Sequence, residues 1–471
     1  MWRRCWLGIE GIFRIEGDGE SADGAEGRRW GWGGTRWLEK EIQQISVRWE
    51  GLFLLSPALS YIRMEARGMK GQSWVECGVI VRHIAVVLKE PIESLYVHVP
   101  FCAHKCEYCA FYSHAPSGDV VSRYVEALVR ELEMVATDLR PKTIFFGGGT
   151  PSLLTLKQWE RVLGSMQRLG LTGATEWTVE CNPATVSADK AKLLRGAGVN
   201  RISMGVQSLE AGLLERLGRI HSREMVFKSF DILRAAGFEN INLDLMFAIP
   251  GQSMEVWKET LREATALGSE HLSSYEVIYE EDTPLFAQMQ AGEFSVDEDL
   301  ACDMYEVLVD FSGERGFHQY EVANFARGPL GADQIPARAC GHNVNYWRGG
   351  SYYGLGPSAA GYVRGLRSKN WSNTTMYCER LEGGERAIES RETLAPLSRA
   401  GELAAFGLRM NAGWPLAEFA ERTGFDLRTE WKNEMGQLIH LGYGRLDAER
   451  FQLTRRGLRY ADWVAEQFLR V

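Results

Sequence analysis

Cys102, Cys106 and Cys109 stand three and then two residues apart, and a segment with that spacing can wrap three thiolates around one soft metal centre. Three ligands leave one iron of an iron–sulfur cubane open to a chelating ligand. Two other readings compete: a zinc site completed by His98, His104 or His114, and three incidental thiols. The chain has nine cysteines, an odd number, of which only these three cluster. At this size disulfide staples are not needed, so metal binding in a reducing compartment is expected, with the cytoplasm as default.

A second group of chemistry-bearing residues follows at regular intervals. Gly147-Gly148-Gly149-Thr150-Pro151 forms a glycine-rich turn whose bare backbone would let a ligand approach closely. Glu180, Gln207, Arg219 and Asp244 come next: acids and amides suited to ribose hydroxyls, and a guanidinium suited to a carboxylate. Taken singly, each also reads as a helix cap or a surface ion pair. Tyr96 and His98 alternate with valines just before the cysteines and would point inward toward them, although His98 reads equally as a satisfied core histidine. Farther on, His342-Asn343-Val344-Asn345-Tyr346-Trp347 gathers an imidazole, a candidate haem-iron ligand, and two flat rings that could pack a porphyrin face. Cys340 is a thiolate alternative. The bland reading is that the rings pack the open side of the fold while His342 and Asn343 cap a turn.

The elements that must position these residues begin near residue 94. Apolar, β-rich runs at 94–99, 143–146, 176–181, 201–206, 241–246 and 271–276 alternate with amphipathic stretches at 120–139, 156–169, 188–197, 223–236 and 254–267. Strand-then-helix units imply parallel pairing through right-handed crossovers, hence an α/β wound sheet or partial barrel with its chemistry at strand C-terminal ends. From Pro396 the pattern predicts helices over 399–410, 415–423 and 429–441, a strand pair over 444–453 and a last helix. That order resembles a winged-helix module, but its basic residues are interleaved with Glu418, Glu421, Asp426, Glu430 and Glu434, which favours a packing or lid role over DNA binding.

The segment Tyr96 to Phe111 and the turn after the second strand together resemble the radical S-adenosylmethionine superfamily, whose signature is CxxxCxxC. The resemblance covers about residues 92–471, through the runs at 201–208, 244–252 and 320–326. It implies a partial (β/α)6 barrel at 91–330 and a [4Fe–4S] cluster on the three cysteines. By the same resemblance S-adenosylmethionine would sit on Tyr96, Phe111, Gly148, Gly149, Thr150, Glu180, Gln207, Arg219 and Asp244. Gln207 and Asp244 would hold the ribose, Glu180 and Arg219 the methionyl end. Residues 331–395 become a connecting segment with the HNxxYW motif, and 396–471 a winged-helix-like domain.

Within the superfamily the chain is similar to the group of oxygen-independent coproporphyrinogen III oxidases and HemW haem chaperones. The oxidase pattern has a fourth cysteine where Phe111 stands, whereas an aromatic there and an HNxxYW motif are HemW features. The resemblance therefore implies haem as cargo at His342, Asn343, Tyr346 and Trp347, delivered to haem-receiving proteins. Radical decarboxylation of coproporphyrinogen III is the alternative, and a methylthiolating or other radical enzyme a more distant one. The chain departs from the pattern at Ala110, where an aspartate is usual, and at Ala248, where a glycine is common.

Composition sets the outer bounds. With 45% hydrophobic and 24% charged residues, 471 residues suffice for two or three domains. A net charge of −9 gives no electrostatic reason to expect nucleic acid. No apolar run reaches transmembrane length, and peripheral membrane contact has no basic amphipathic helix to support it. Residues 1–90 hold seven of the fifteen tryptophans without a sustained period and read as a poorly ordered extension; translation starting near Met64 or Met69 is the accompanying expectation.

Overall fold

The computed structural model describes residues 90–470. The expected N-terminal extension and alternative start sites lie outside the described residues.

Six strands lie side by side in sequence order and all parallel: β1 (Ile92–Val99), β2 (Leu139–Gly148), β3 (Glu176–Cys181), β4 (Arg201–Gln207), β5 (Ile241–Phe247) and β6 (His271–Glu276). Their near-continuous burial is what strands covered on both faces require. Helices Val120–Val135, Leu156–Arg168, Ala188–Gly196, Arg223–Ala235 and Met254–Ala266 make the crossovers. Each of the last four starts at a Ser or Thr (Thr155, Ser187, Ser222, Ser253) whose side chain accepts the N–H three residues on. Such caps are worth roughly 1 kcal/mol each. The core between sheet and helices centres on Val97, Ile144, Val179, Met204 and Leu243, with the indoles of Trp159, Trp177 and Trp257 fully buried.

The sheet extends beyond the six strands at both edges. β7 (His318–Glu321) and β8 (Asn324–Ala326) pair antiparallel beside β6, and β9 (Tyr353–Leu355) pairs parallel with β1, giving the order β7-β8-β6-β5-β4-β3-β2-β1-β9. The stretch read from sequence as a connector, 331–395, is thus structural. It contributes helix Gly341–Trp347, β9 and a three-stranded antiparallel sheet of β10 (Ala360–Val363), β11 (Leu366–Asn370) and β12 (Ile388–Glu392). The β10–β11 hairpin turns through Arg364 and Gly365, both at positive φ, as a two-residue mirror-type turn demands.

Glu131, fully buried on helix Val120–Val135, fastens this stretch to the barrel. Its Oε2 accepts from Gly356 N at 2.9 Å and Tyr377 OH at 2.8 Å; its Oε1 accepts from Asn370 Nδ2 at 2.9 Å and Arg386 Nη2 at 3.4 Å. Gly356 is at φ 96°, and a Cβ there would fall 2.3 Å from the His98 carbonyl oxygen, so only glycine brings the strand this close.

The C-terminal part has its own core of Trp414, Phe419, Trp431, Phe451 and Phe468. Helices Pro396–Gly407 and Leu416–Thr423 lie near the predicted positions, but the third predicted helix is two: Leu427–Glu430 and Lys432–His440. The break falls at Trp431, whose Nε1 donates to the Phe468 carbonyl at 2.9 Å; tertiary packing of the indole outweighs helical continuity. The strand pair gains a third member, giving the order β13 (Trp414–Pro415), β15 (Arg450–Leu453), β14 (Gly444–Leu446). Arg455 docks this part on helix Glu298–Glu314, pairing with Glu306 and Asp310 at 2.5 Å each.

Candidate functional site

The loop leaving β1 carries the cysteines and is pinned from several sides. Cys102 N donates to His114 O at 3.1 Å and His114 N to Pro100 O at 2.9 Å, closing its neck. Glu107 N donates to Leu217 O at 3.1 Å and Leu285 N to Glu107 O at 2.9 Å, fixing its tip to two later segments. The three free, half-buried cysteines consequently face one cavity of about 250 Å³ at the C-terminal end of the sheet. Phe111, Gly148, Gly149, Thr150, Glu180, Gln207, Arg219 and Asp244 line the same cavity. Eight of the nine residues expected around S-adenosylmethionine are therefore brought together with the cysteines; Tyr96 lines an adjoining chamber deeper in the barrel. Among the described residues no three His, Cys, Asp or Glu side chains converge at single-ion distance. A cubane makes a different demand, one thiolate for each of three irons.

Two carboxylates sit on the cavity wall. Glu180 accepts from Gly148 N at 3.1 Å; its burial first, and then the charge of Asp244, push it up to about 8. Asp244 accepts from Asn242 Nδ2 at 2.7 Å and Ser203 Oγ at 3.3 Å, and burial pushes it up to about 6. A carboxyl raised in the folded state stabilises below its unfolded pKa, and that contribution is lost as pH rises through the folded value. Metal-free protein should therefore lose on the order of a few kcal/mol of stability from Glu180 between its usual range and about pH 8. Urea denaturation of Glu180→Gln should show a flatter pH profile; parallel profiles would exclude Glu180 as the source.

Several polar atoms at the cavity lack partners among the described residues. Arg219 reaches Cys106 Sγ with Nη1 at 3.6 Å and the Gly205 carbonyl with Nη2 at 2.5 Å, but its Nε has no acceptor. Gln207 Oε1 is buried without a donor, and the residue is held at φ 63°, a conformation that costs a non-glycine residue roughly 1–3 kcal/mol. Unmet hydrogen bonds and backbone strain at one mouth are what a polar ligand site shows. The residues present thus fit a cluster with a polar ligand beside it.

Some expectations change. The glycines of the turn serve the protein itself: a Cβ on Gly148 would meet the His98 ring at 2.5 Å, and one on Gly149 the Phe101 and Val99 carbonyl oxygens at 2.7 and 2.8 Å. They let β2 pass the end of β1, while Gly148 and Gly149 also line the cavity. His98 is a satisfied core histidine: Nε2 donates to Tyr112 O at 2.8 Å, Nδ1 lies 3.0 Å from Tyr96 OH, and burial depresses it to about 4.

At the other end of the barrel, helix Gly341–Trp347 packs against the early residues of β2 and β3. Gly341 N and His342 N donate to the Glu176 carboxylate at 2.8 and 2.9 Å. His342 stacks on Phe145 with ring centroids 5.3 Å apart, its Nδ1 2.9 Å from Thr143 Oγ1 and its Nε2 2.7 Å from Tyr346 OH. Both ring nitrogens are engaged inside the fold and burial depresses it to about 3, so the reading of His342 as iron ligand gives way to an anchor for the helix. Cys340 is also internal: its Sγ donates to Glu176 Oε1 at 3.6 Å, and burial pushes the thiol up to about 12. Asn343, Tyr346 and Trp347 do face a cavity, the deeper chamber that Tyr96 lines. Cysteines and HNxxYW motif thus occupy opposite ends of one barrel.

Sequence reasoning missed the polar ladder between those ends: Arg201 and Ser203 on β4, Asn242 on β5, Ser273 and Tyr275 on β6, and Asn324 on β8. The signal was present. Arg201, Ser203, Gly205 and Gln207 alternate with Ile202, Met204 and Val206, and a polar residue at every second place of a strand marks its inward face.

The chain matches the Radical SAM superfamily over residues 96–264 and the HemN C-terminal domain over residues 394–460. It is 34% identical over 385 residues to the Heme chaperone HemW of Lactococcus lactis, covering 81% of this chain and 98% of that protein. With the Heme chaperone HemW of Escherichia coli the identity is 35% over 388 residues, covering 81% and 100%. Among solved structures, coproporphyrinogen III oxidase (HemN) from Escherichia coli, described as a radical SAM enzyme, superposes with a TM-score of 0.70 at 20% identity, covering 82% of this chain and 93% of that one. That likeness concerns the fold: the parallel sheet and the helical and small-sheet C-terminal part. Among the described residues no helix is long and apolar enough to cross a membrane.

Proposed function

Since the chain belongs to the haem chaperone HemW family of the radical SAM superfamily, we propose that it binds haem and hands it to haem-dependent proteins, with an iron–sulfur cluster and S-adenosylmethionine at its upper cavity. Cys102, Cys106 and Cys109 would hold a [4Fe–4S] cluster, and Gly148, Gly149, Thr150, Glu180, Gln207, Arg219 and Asp244 would hold the nucleoside ligand. When bound, that pair supplies one-electron reductive cleavage of a sulfonium. Arg219 places positive charge beside the Cys106 sulfur, its Nη1 3.6 Å from Sγ. Glu180 keeps the Gly148 amide in place, Ser203 and Asn242 hold Asp244, and the aromatic wall of Phe111 limits water at the cavity.

The observation that carries the reading is Phe111. It lines the cysteine cavity at the position where the oxidase pattern has a fourth cysteine, which removes a thiolate and adds an apolar face. The reading places the protein in the cytoplasm, with haem-receiving proteins as partners. Purified protein should retain haem through gel filtration and give no protoporphyrinogen from coproporphyrinogen III under anaerobic reducing conditions. Robust product formation would establish the oxidase alternative instead.

A further inference from the structure

The chamber beneath the cysteine cavity contains a buried guanidinium whose hydrogen-bonding capacity the described residues leave partly unfilled. Arg201 is 2% exposed, yet its one hydrogen bond among the described residues is a long one, from Nη1 to Thr178 Oγ1 at 3.4 Å. Its Nε has no partner among the described residues; Glu176 and Asp244 favour its charge through space, with no hydrogen bond to it. A guanidinium taken out of water with its fork unfilled is among the costlier arrangements a core can hold. Trp347, on the wall of the same chamber, also carries a buried Nε1 without an acceptor among the described residues. Both orphans are donors, so what the chamber lacks is an acceptor. The chamber measures about 190 Å³ and is walled by Phe111, Phe145, Tyr346, Trp347 and Tyr352. Ligands of drug size are held in roughly 300–1,000 Å³, so the space suits one arm or a small ring and excludes a whole macrocycle.

We propose that Arg201 is the anchor of a carboxylate site in this chamber, taking a carboxylate borne on an apolar or aromatic body. The planar fork of arginine matches two carboxylate oxygens, and the aromatic walls receive the carbon frame. Glu180, Ser203, Asp244, Tyr275 and Phe111 line both the chamber and the cysteine cavity, so a ligand here lies next to the upper site. Two sources share this chemistry: a carboxylate side arm of a porphyrin, which rests on the haem-binding function proposed above, and a separate small aromatic acid.

The full-length protein with its reconstituted cluster is titrated with haem and with haem dimethyl ester, followed by the Soret band, and with benzoate and benzamide, followed by calorimetry. A porphyrin arm predicts that the ester binds about tenfold or more weakly than haem; a separate acid predicts that benzoate binds about tenfold or more tightly than benzamide. Arg201→Met should erase whichever preference appears, and Arg201→Lys should restore part of it. Equal binding within both pairs by the unaltered protein overturns the carboxylate site, whether or not a variant folds. Failure to take up haem at all counts against the proposed haem function, and the benzoate–benzamide pair then decides the site alone.

Discussion

Replacing Cys106 with Ala is expected to abolish the brown chromophore of anaerobically reconstituted protein and reduce bound iron to near background, while Cys302→Ala keeps both. The loop geometry gives the reason. Cys109 N donates to Cys106 O at 3.2 Å, so the second and third thiols share a tight turn, and Cys102 sits across the mouth beside Thr150, whose Oγ1 lies 3.5 Å from its Sγ. With Cys106 gone, the loop presents two sulfurs and Arg219 loses its sulfur partner. Among the described residues no fourth cysteine stands on this loop to replace it. One zinc per chain with no iron in the unaltered protein after reconstitution would sink the cluster assignment.

The largest stability effect should come from Glu131→Ala, by about 3–5 kcal/mol in urea denaturation, the usual cost of removing one partner from a buried charged network. The four donors converging on this carboxylate are a backbone amide, an asparagine amide, a phenol and a guanidinium, and all lose their acceptor at once. Alanine also leaves a void between helix Val120–Val135 and the strand that Gly356 brings against it. Glu131→Gln keeps one acceptor oxygen but turns an amide against donors, and should fall between the two. A loss below about 1 kcal/mol for the alanine variant would show that water replaces the carboxylate and that the network is not a fastening.

How far the sequence revealed this molecule depended on how local each signal was. The six parallel strands and five crossover helices were legible because each is long enough to show its period and each later helix begins with a hydroxyl cap. β8 and β9 were not, because three residues show no alternation and the strands that seat them in the sheet, β6 and β1, lie about 50 and more than 250 positions away. Site residues at strand ends stood out through glycine and charge. The histidine of the HNxxYW motif misled because its type suggested a ligand, whereas its partners, Thr143 and Tyr346, are disclosed only by tertiary structure. Arg201 was overlooked for the converse reason. At the start of an apolar strand it resembles a boundary residue, and only the folded barrel shows it to be inside.

β9 also gives the chain an order of assembly. β1 is the first described strand to be synthesised, and its flank at Leu95, Tyr96 and Val97 waits for Tyr353, Gly354 and Leu355. During that interval the strand that leads into the cysteine loop is an open edge, a template for other chains, and closing it spans a loop of more than 250 residues. The nascent barrel is therefore most vulnerable to mispairing beside the loop that carries Cys102, Cys106 and Cys109. Parallel pairing of this kind is slow to form, which makes closure of the β1 edge a late step in the assembly of the barrel.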